Sequence, residues 1–268
     1  LDNIPPGIIL ILGAIALVAL PATARKACAI ALPAFVFYLI FQLQDGERIS
    51  PSFLDFNLTL LRVDTTSKAF GLIFTLSAFA AFIFSWRVQS RMESVAALIY
   101  VGSALGVVFA CDMISWYIYW ELMAISSTFL ILARKTENSL KSAQRYILVH
   151  LAGGLILLTG ILLIIHQTNS IAFNEFPRDS IGSWFILGGI LINAAAVPFS
   201  SWLPDAYPES TVMGGVVLSA YTTKTAVYTL IRGFPGWEIL IPIGCIMAIY
   251  GIIYALLEND MRRILAYS

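Results

Sequence analysis

The chain has 268 residues, of which 59% are hydrophobic and 12% charged, against roughly 25% charged in a typical soluble domain. Its mean hydropathy is +0.84, which excludes a dispersed soluble protein and indicates an all-α, polytopic transmembrane helical bundle in a lipid bilayer. Lys and Arg number 16 and Asp and Glu 16, so no net charge points to a nucleic-acid partner.

Stretches long enough to cross a bilayer, at about 20 apolar residues each, follow in order. They predict nine spans: 4–24, 27–44, 67–86, 94–111, 113–133, 143–166, 180–198, 211–231 and 239–257. Between the second and third, residues 45–65 alternate apolar and polar side chains, the pattern of a short hairpin or an interfacial strand pair. Gly102 and Gly106 form a GxxxG spacing in the fourth span, a signal for close helix packing. The seventh span is broken at Pro198 and again around Pro204 and Pro208. The chain reads as one transmembrane domain, with peripheral helices over 1–92 and the remaining spans, with both intramembrane charges, over 93–268. It opens at Leu1, consistent with a trimmed or processed start, and no basic residues precede the first apolar run, against a signal peptide.

Loop charges give an independent orientation. With the N-terminus outside, the inner loops carry Arg25, Lys26, Arg87, Arg91, Arg134, Lys135, Lys141, Arg145, Arg262 and Arg263. The outer loops carry Arg48, Arg62, Lys68, Arg178 and Arg232. The excess of basic residues on one side favours a multi-pass protein of the plasma (inner) membrane with the end of this chain cytoplasmic.

Two charges lie inside spans. Glu121 in the fifth is well separated from both Asp112 and Arg134, so a capped interfacial role fits poorly, and burial and a neighbouring cation would act in opposite senses on its ionisation. Lys224 lies deep in the eighth. A lone ammonium in hydrocarbon costs about 3 kcal/mol or more, so such a lysine faces a partner or a wet cavity. Tyr221 and Tyr228, three before and four after it, are expected on its face of the helix. Broken backbone at membrane depth is tolerated only inside protein or along water, so the break beside Lys224 argues for an ion path.

The remaining polar positions are less decisive. His150, one turn after Tyr146 and just before Gly153 and Gly154, is either a proton relay or a histidine bonding a neighbouring helix. Asp112 reads as the N-cap of span five. Asp205 caps the broken helix or forms the mouth of a path. Two distant histidines support no metal site. Cys28, Cys111 and Cys245 are isolated, without a CxxC pair, and indicate neither a disulfide framework nor a cluster. No phosphate-binding loop, nucleophile elbow or dinucleotide fingerprint is present, so no cofactor and no catalytic site are expected in this chain.

Residues 120–122 (WEL), 198–206 (PFSSWLPDA), 223–226 (TKTA) and 258–267 (ENDMRRILAY) resemble the antiporter-like membrane subunits of respiratory complex I, membrane-bound hydrogenases and Mrp-type cation/proton antiporters. The run from YPEST into LSAYTTKTAVY is most similar to the Mrp D-type and hydrogenase-associated branch. The resemblance implies a half-channel in which a fifth-helix glutamate, matched by Glu121, pairs with a lysine of the broken seventh helix. A lysine of the eighth, matched by Lys224, passes protons onward. The seventh-helix lysine is replaced by Asn193, which carries no charge, and the family's histidine ahead of WLP is Ser200. Glu121 then either lacks its usual partner or couples through water, Asn193 or another subunit. Family members continue for several more helices, so the chain is expected to be a natural half or a fragment.

The leading expectation is an ion-translocating subunit of a multisubunit complex, moving protons, or protons against sodium, with Glu121, Lys224 and His150 as relay. Asn193, Asp205, Tyr221 and Tyr228 are expected to line or assist the path, and other membrane subunits are the expected partners. One alternative is a non-conducting structural or coupling subunit. Another is the pump arm of a quinone, NADH or hydrogenase oxidoreductase whose chemistry belongs to partners.

Overall fold

A computed structural model describes residues 4–48, 52–53, 56–88 and 90–268. In chain order the described helices are α1 (Pro6–Leu17), α2 (Ala22–Gln42), α3 (Thr65–Phe84), α4 (Arg91–Phe109), α5 (Met113–Leu132), α6 (Glu137–Thr168), α7 (Ile181–Asn193), α8 (Trp202–Ala206), α9 (Val212–Gly233), α10 (Leu240–Leu257) and α11 (Met261–Tyr267). Between α2 and α3, β1 (Gly46–Arg48) pairs antiparallel with β4 (Leu61–Val63), and β2 (Ser52–Phe53) pairs with β3 (Phe56–Asn57). The alternating segment thus forms the expected hairpin pairing; residues 49–51 and 54–55 lie outside the described residues.

Polar side chains set where the helices begin. Asp64, Ser90 and Thr136 each accept from the backbone amide three residues on, and that residue's own side chain returns a bond to the capping residue. Asp112 accepts from the Ser115 amide at 2.7 Å and Thr211 from the Gly214 amide at 2.9 Å. Such caps satisfy donors left unpaired by the first turn. Asp112 also accepts from the Thr59 amide at 3.1 Å, tying the start of α5 to the strand segment.

α4 is the hub, enclosed by α1, α2, α3, α5 and α9. Lipid is as apolar as leucine, so helices in a bilayer are held by close packing and interhelical hydrogen bonds, and small residues let backbones approach. The Gly102/Gly106 spacing does this against α1, where a Cβ on Gly102 would stand 2.7 Å from the Gly7 carbonyl. A second glycine seam joins α6 to α7: a Cβ on Gly160 would lie 2.6 Å from the Gly182 carbonyl, and one on Gly189 would lie 2.8 Å from the Gly153 carbonyl. α10 has no buried residue.

Several boundaries differ from the sequence reading. α1 ends at Leu17, so Arg25 and Lys26 fall in the first turns of α2 rather than in a loop. At 12 residues α1 is about 18 Å long. α7 stops at Asn193, five residues before Pro198, because Ala195 takes a left-handed conformation (φ 57). Pro204 interrupts nothing; it sits in the first turn of α8, where its missing N–H would be unpaired anyway. The polar tail forms α11, capped by Asp260 on the Arg262 amide at 2.8 Å. Helices α2, α3, α4, α6 and α10 are long and apolar enough to cross a membrane, and α1 and α7 are shorter apolar helices.

One charged contact joins distant helices at the α3 start. Arg232, near the end of α9, donates to both carboxylate oxygens of Asp64 at 2.9 and 2.7 Å and to the Tyr228 hydroxyl at 2.8 Å. Burial pushes the Asp64 carboxyl up, but the Ser67 amide and the Arg232 guanidinium outweigh it and hold the group below its ordinary 3.8. A carboxyl lowered by folding adds stability above its unfolded value and loses it as the pH falls through the folded value. Asp64→Asn keeps a capping side chain and removes only the ion pair. It should melt lower than wild type at neutral pH, by about 1 kcal/mol for a part-exposed pair. The gap should close as the pH falls below 3.8, measured by thermal unfolding in detergent.

Candidate functional site

Glu121 and Asn193 pack against the adjacent glycines 154 and 153 of α6, and His150 lies one turn before them. Glu121 lies on α5, and its carboxylate rests against Gly154, so closely that any Cβ there would overlap it. Its Oε1 is buried without a hydrogen-bond partner. One turn earlier on α6, His150 is 2% exposed. Its Nδ1 faces the Tyr146 carbonyl at 3.0 Å, while its Nε2 is buried and unpartnered. Asn193, at the end of α7, is 1% exposed. Its amide nitrogen donates to the Gly189 carbonyl at 3.3 Å and lies beside Gly153.

The break in the seventh helix is fixed from inside this cluster. The Trp202 indole N–H donates to the Ile192 carbonyl at 2.9 Å, satisfying an acceptor that the helix end frees. The same indole meets the His150 ring edge-on with centroids 4.6 Å apart, and the Tyr146 ring stacks on His150 at 4.0 Å. The tryptophan of WLP therefore couples the discontinuity to the histidine.

Beside His150, buried hydroxyls are placed between α5, α6 and α9. The Tyr146 hydroxyl is 2.8 Å from Ser127 Oγ and also faces Thr222. Thr222 Oγ1 is 2.5 Å from the Tyr100 hydroxyl, which accepts from the Thr222 amide at 2.9 Å. Each of these residues is buried. Hydroxyls both donate and accept, so the Ser127–Tyr146 and Tyr100–Thr222 pairs can each reverse direction. The individual apolar-looking helices hide these pairs; the spacing of Tyr146 and His150, one turn apart, was their only mark in the sequence.

Lys224 sits on the far side of the break. Its ammonium donates to the Ser219 carbonyl at 2.7 Å and faces a cavity of about 340 Å³. Ala194, Ala195 and Ser200 of the break line that cavity together with Tyr250 of α10 and Tyr267 of α11. Among the described residues neither Glu121 nor Lys224 is in an ion pair.

Three further expected site residues are hydrogen-bonded to neighbouring helices. The Tyr221 hydroxyl donates to the Phe74 carbonyl at 2.8 Å and the Tyr228 hydroxyl to the Val108 carbonyl at 2.5 Å. Both phenols thus turn into α3 and α4, while the long Lys224 stem reaches the other way, toward the start of its own helix. Asp205 makes no cap. It takes the Arg145 guanidinium on both oxygens, at 2.8 and 2.7 Å, while Ser142 donates to its carbonyl at 2.9 Å, pinning α8 to α6.

Comparison with known proteins matches residues 110–268 to the family described as NADH:quinone oxidoreductase/Mrp antiporter, transmembrane. The chain belongs to this family. Hydrogenase-4 component B of Escherichia coli (strain K12) is 27% identical over 247 residues, covering 82% of this chain and 36% of that protein. Na(+)/H(+) antiporter subunit A1 of Staphylococcus haemolyticus (strain JCSC1435) is 29% identical over 231 residues, covering 78% and 29%. The chain thus spans about a third of the curated relatives it matches. Among solved structures, a chain of the Mrp complex from Dietzia sp. DQ12-45-1b superposes with TM-score 0.86 at 23% identity, covering 98% of this chain and 32% of that one. A chain of respiratory complex I from Thermus thermophilus gives 0.84 at 20%, covering 98% and 61%. These two share its fold. The hydrogenase and Mrp branches named by the sequence resemblance are both represented, the Mrp branch here by an A-type subunit.

Proposed function

We propose that this member of the antiporter-like family is an ion-translocating subunit of a multisubunit membrane complex, with nine crossings, an outer N-terminus and the end of this chain on the cytoplasmic side of the plasma membrane. Protons, or protons exchanged for sodium, move between the Glu121–His150 cluster and the Lys224 cavity, past the break in the seventh helix. The observation that carries this reading is the placement of unpaired ionisable groups on both sides of that break. Glu121 and His150 each keep a buried polar atom without a partner on one side, and Lys224 bonds only a backbone carbonyl on the other.

Unpaired polar atoms at membrane depth are costly unless water or a moving proton meets them. The glycine at 154 leaves room for the carboxylate, and the Tyr146 hydroxyl of α6 faces Thr222 of α9. Asn193 holds no charge beside Glu121, so the Glu121 charge balance in this reading is set through water and through Lys224 across the break rather than by a direct ion pair. Other membrane subunits of the complex complete the path beyond Lys224.

Lys224→Ala tests the assignment. The complex carrying it should assemble with unchanged subunit content, and proton flux in reconstituted vesicles should fall to the level of empty ones. Wild-type flux in that variant would remove Lys224 from the path.

Among the described residues no cation pairs with Glu121, which favours one competing reading, a structural or coupling subunit that conducts nothing. It requires both Glu121→Gln and Lys224→Ala to leave flux through the complex untouched.

A further inference from the structure

A second cavity, far larger than the one at Lys224, opens between α4 and α5. Its volume is about 750 Å³, within the size range of small-molecule sites, about 300–1,000 Å³. The walls are apolar: Val95 and Ile99 of α4 face Leu122, Ile125 and Phe129 of α5. Ile125 and Phe129 are 46% and 45% exposed, so the groove is open on its side. One end is polar, where Ser90, Arg91 and Lys135 form the mouth.

The two cations at the mouth are free. Both are exposed, and among the described residues neither is in an ion pair. The nearby carboxylates are otherwise engaged: Glu93 accepts from the Ser90 amide at 2.9 Å, and Glu137 holds Lys141 at 2.6 Å. Lys135 itself stands in the left-handed backbone region (φ 59), where glycine or asparagine would be less strained.

We propose that this groove binds one anionic phospholipid, its phosphate on Arg91 and Lys135 and one acyl chain between α4 and α5. Depth and charge select that occupant. Leu122 lies ten residues before the end of α5, about 15 Å along the helix, or half of a hydrocarbon core of about 30 Å. A groove one leaflet deep, open to the side and ending in two free cations suits a lipid of that leaflet. A crossing helix of a partner would need a groove running the full thickness. Arginine forks onto phosphate oxygens, and basic pockets between helices recruit anionic headgroups. The site is separate from Glu121, His150 and Lys224, so the inference stands independently of the ion path.

The test is native mass spectrometry of the whole complex, purified from its own membranes in mild detergent. This chain should be released carrying one phosphatidylglycerol or cardiolipin. In the double variant Arg91→Gln, Lys135→Gln that adduct should fall roughly thirtyfold relative to phosphatidylethanolamine, as the usual attraction of two basic residues gives. Ile125→Trp, which fills the groove, should lose lipid of every headgroup. Equal anionic adduct in the double variant and wild type would overturn the proposal. Should a variant fail to assemble, a photoreactive benzophenone amino acid at position 129 in the otherwise unaltered complex decides. Cross-linking to phospholipid supports the site, and cross-linking to a neighbouring subunit rejects it.

Discussion

Glu121→Gln should cut proton flux through the assembled complex by roughly a hundredfold, the lower end of what a positioned proton carrier contributes, with subunit composition unchanged. Glutamine has the same size and fills the same space against Gly154, so packing between α5 and α6 is retained while the exchangeable proton is lost. The Oε1 atom makes no hydrogen bond that the substitution could break, which removes the usual structural explanation for a loss. Gly154→Ala offers an independent route to the same outcome. Its Cβ would displace the Glu121 carboxylate, the mobile end of a side chain, rather than backbone. Flux should therefore fall with little change in stability. Full flux in both variants would show that the carboxylate serves no ion path.

The largest expected effect on folding belongs to the α6–α7 seam. At Gly160 a Cβ would lie 2.6 Å from the Gly182 carbonyl oxygen and 2.7 Å from the Ile186 nitrogen. Both are backbone atoms of α7, so the helices themselves must separate. Overpacking of this kind costs about 1–3 kcal/mol and more where backbone is displaced, and valine at 160 adds two further methyl groups. Gly160→Val should leave little folded chain in detergent-resolved fluorescence chromatography. Gly188→Ala, whose Cβ would meet only the Ile156 Cγ2 at 3.9 Å, should behave as wild type. Equal yields from the two variants would mean that the seam does not hold α7 in place.

Most of the fold was legible because apolar runs, capping side chains and the alternating strand segment are local signals. The start of α5 follows from Asp112, whereas α6 begins at Glu137, six residues before the expected 143, behind the Thr136 cap. What could not be read were features set by residues far apart in the chain. α7 stops at Asn193 and not at Pro198, where Ala195 turns left-handed and Trp202 donates to the carbonyl of Ile192, ten residues earlier. Asp205 was legible as a polar residue at a break, but its partner Arg145 lies sixty residues earlier. The Tyr221 and Tyr228 positions suggest a shared face with Lys224 on a helical projection. Their hydroxyls instead reach carbonyls on α3 and α4, which a single helix cannot reveal. The clustering of Glu121, His150 and Asn193 was visible only through their separate oddity in apolar spans, and the glycine pair that Glu121 and Asn193 pack against reads as ordinary helix packing.

In the proposed path Glu121 gains and loses a proton as ions move. Infrared difference spectroscopy of the reconstituted complex, recorded as an inward and then an outward proton gradient is imposed, observes that event directly. Proton carriage by Glu121 requires a protonated-carboxyl band that appears and disappears with the gradient in wild type and is missing in Glu121→Gln. A wild-type complex that carries protons without any band dependent on Glu121 would contradict it.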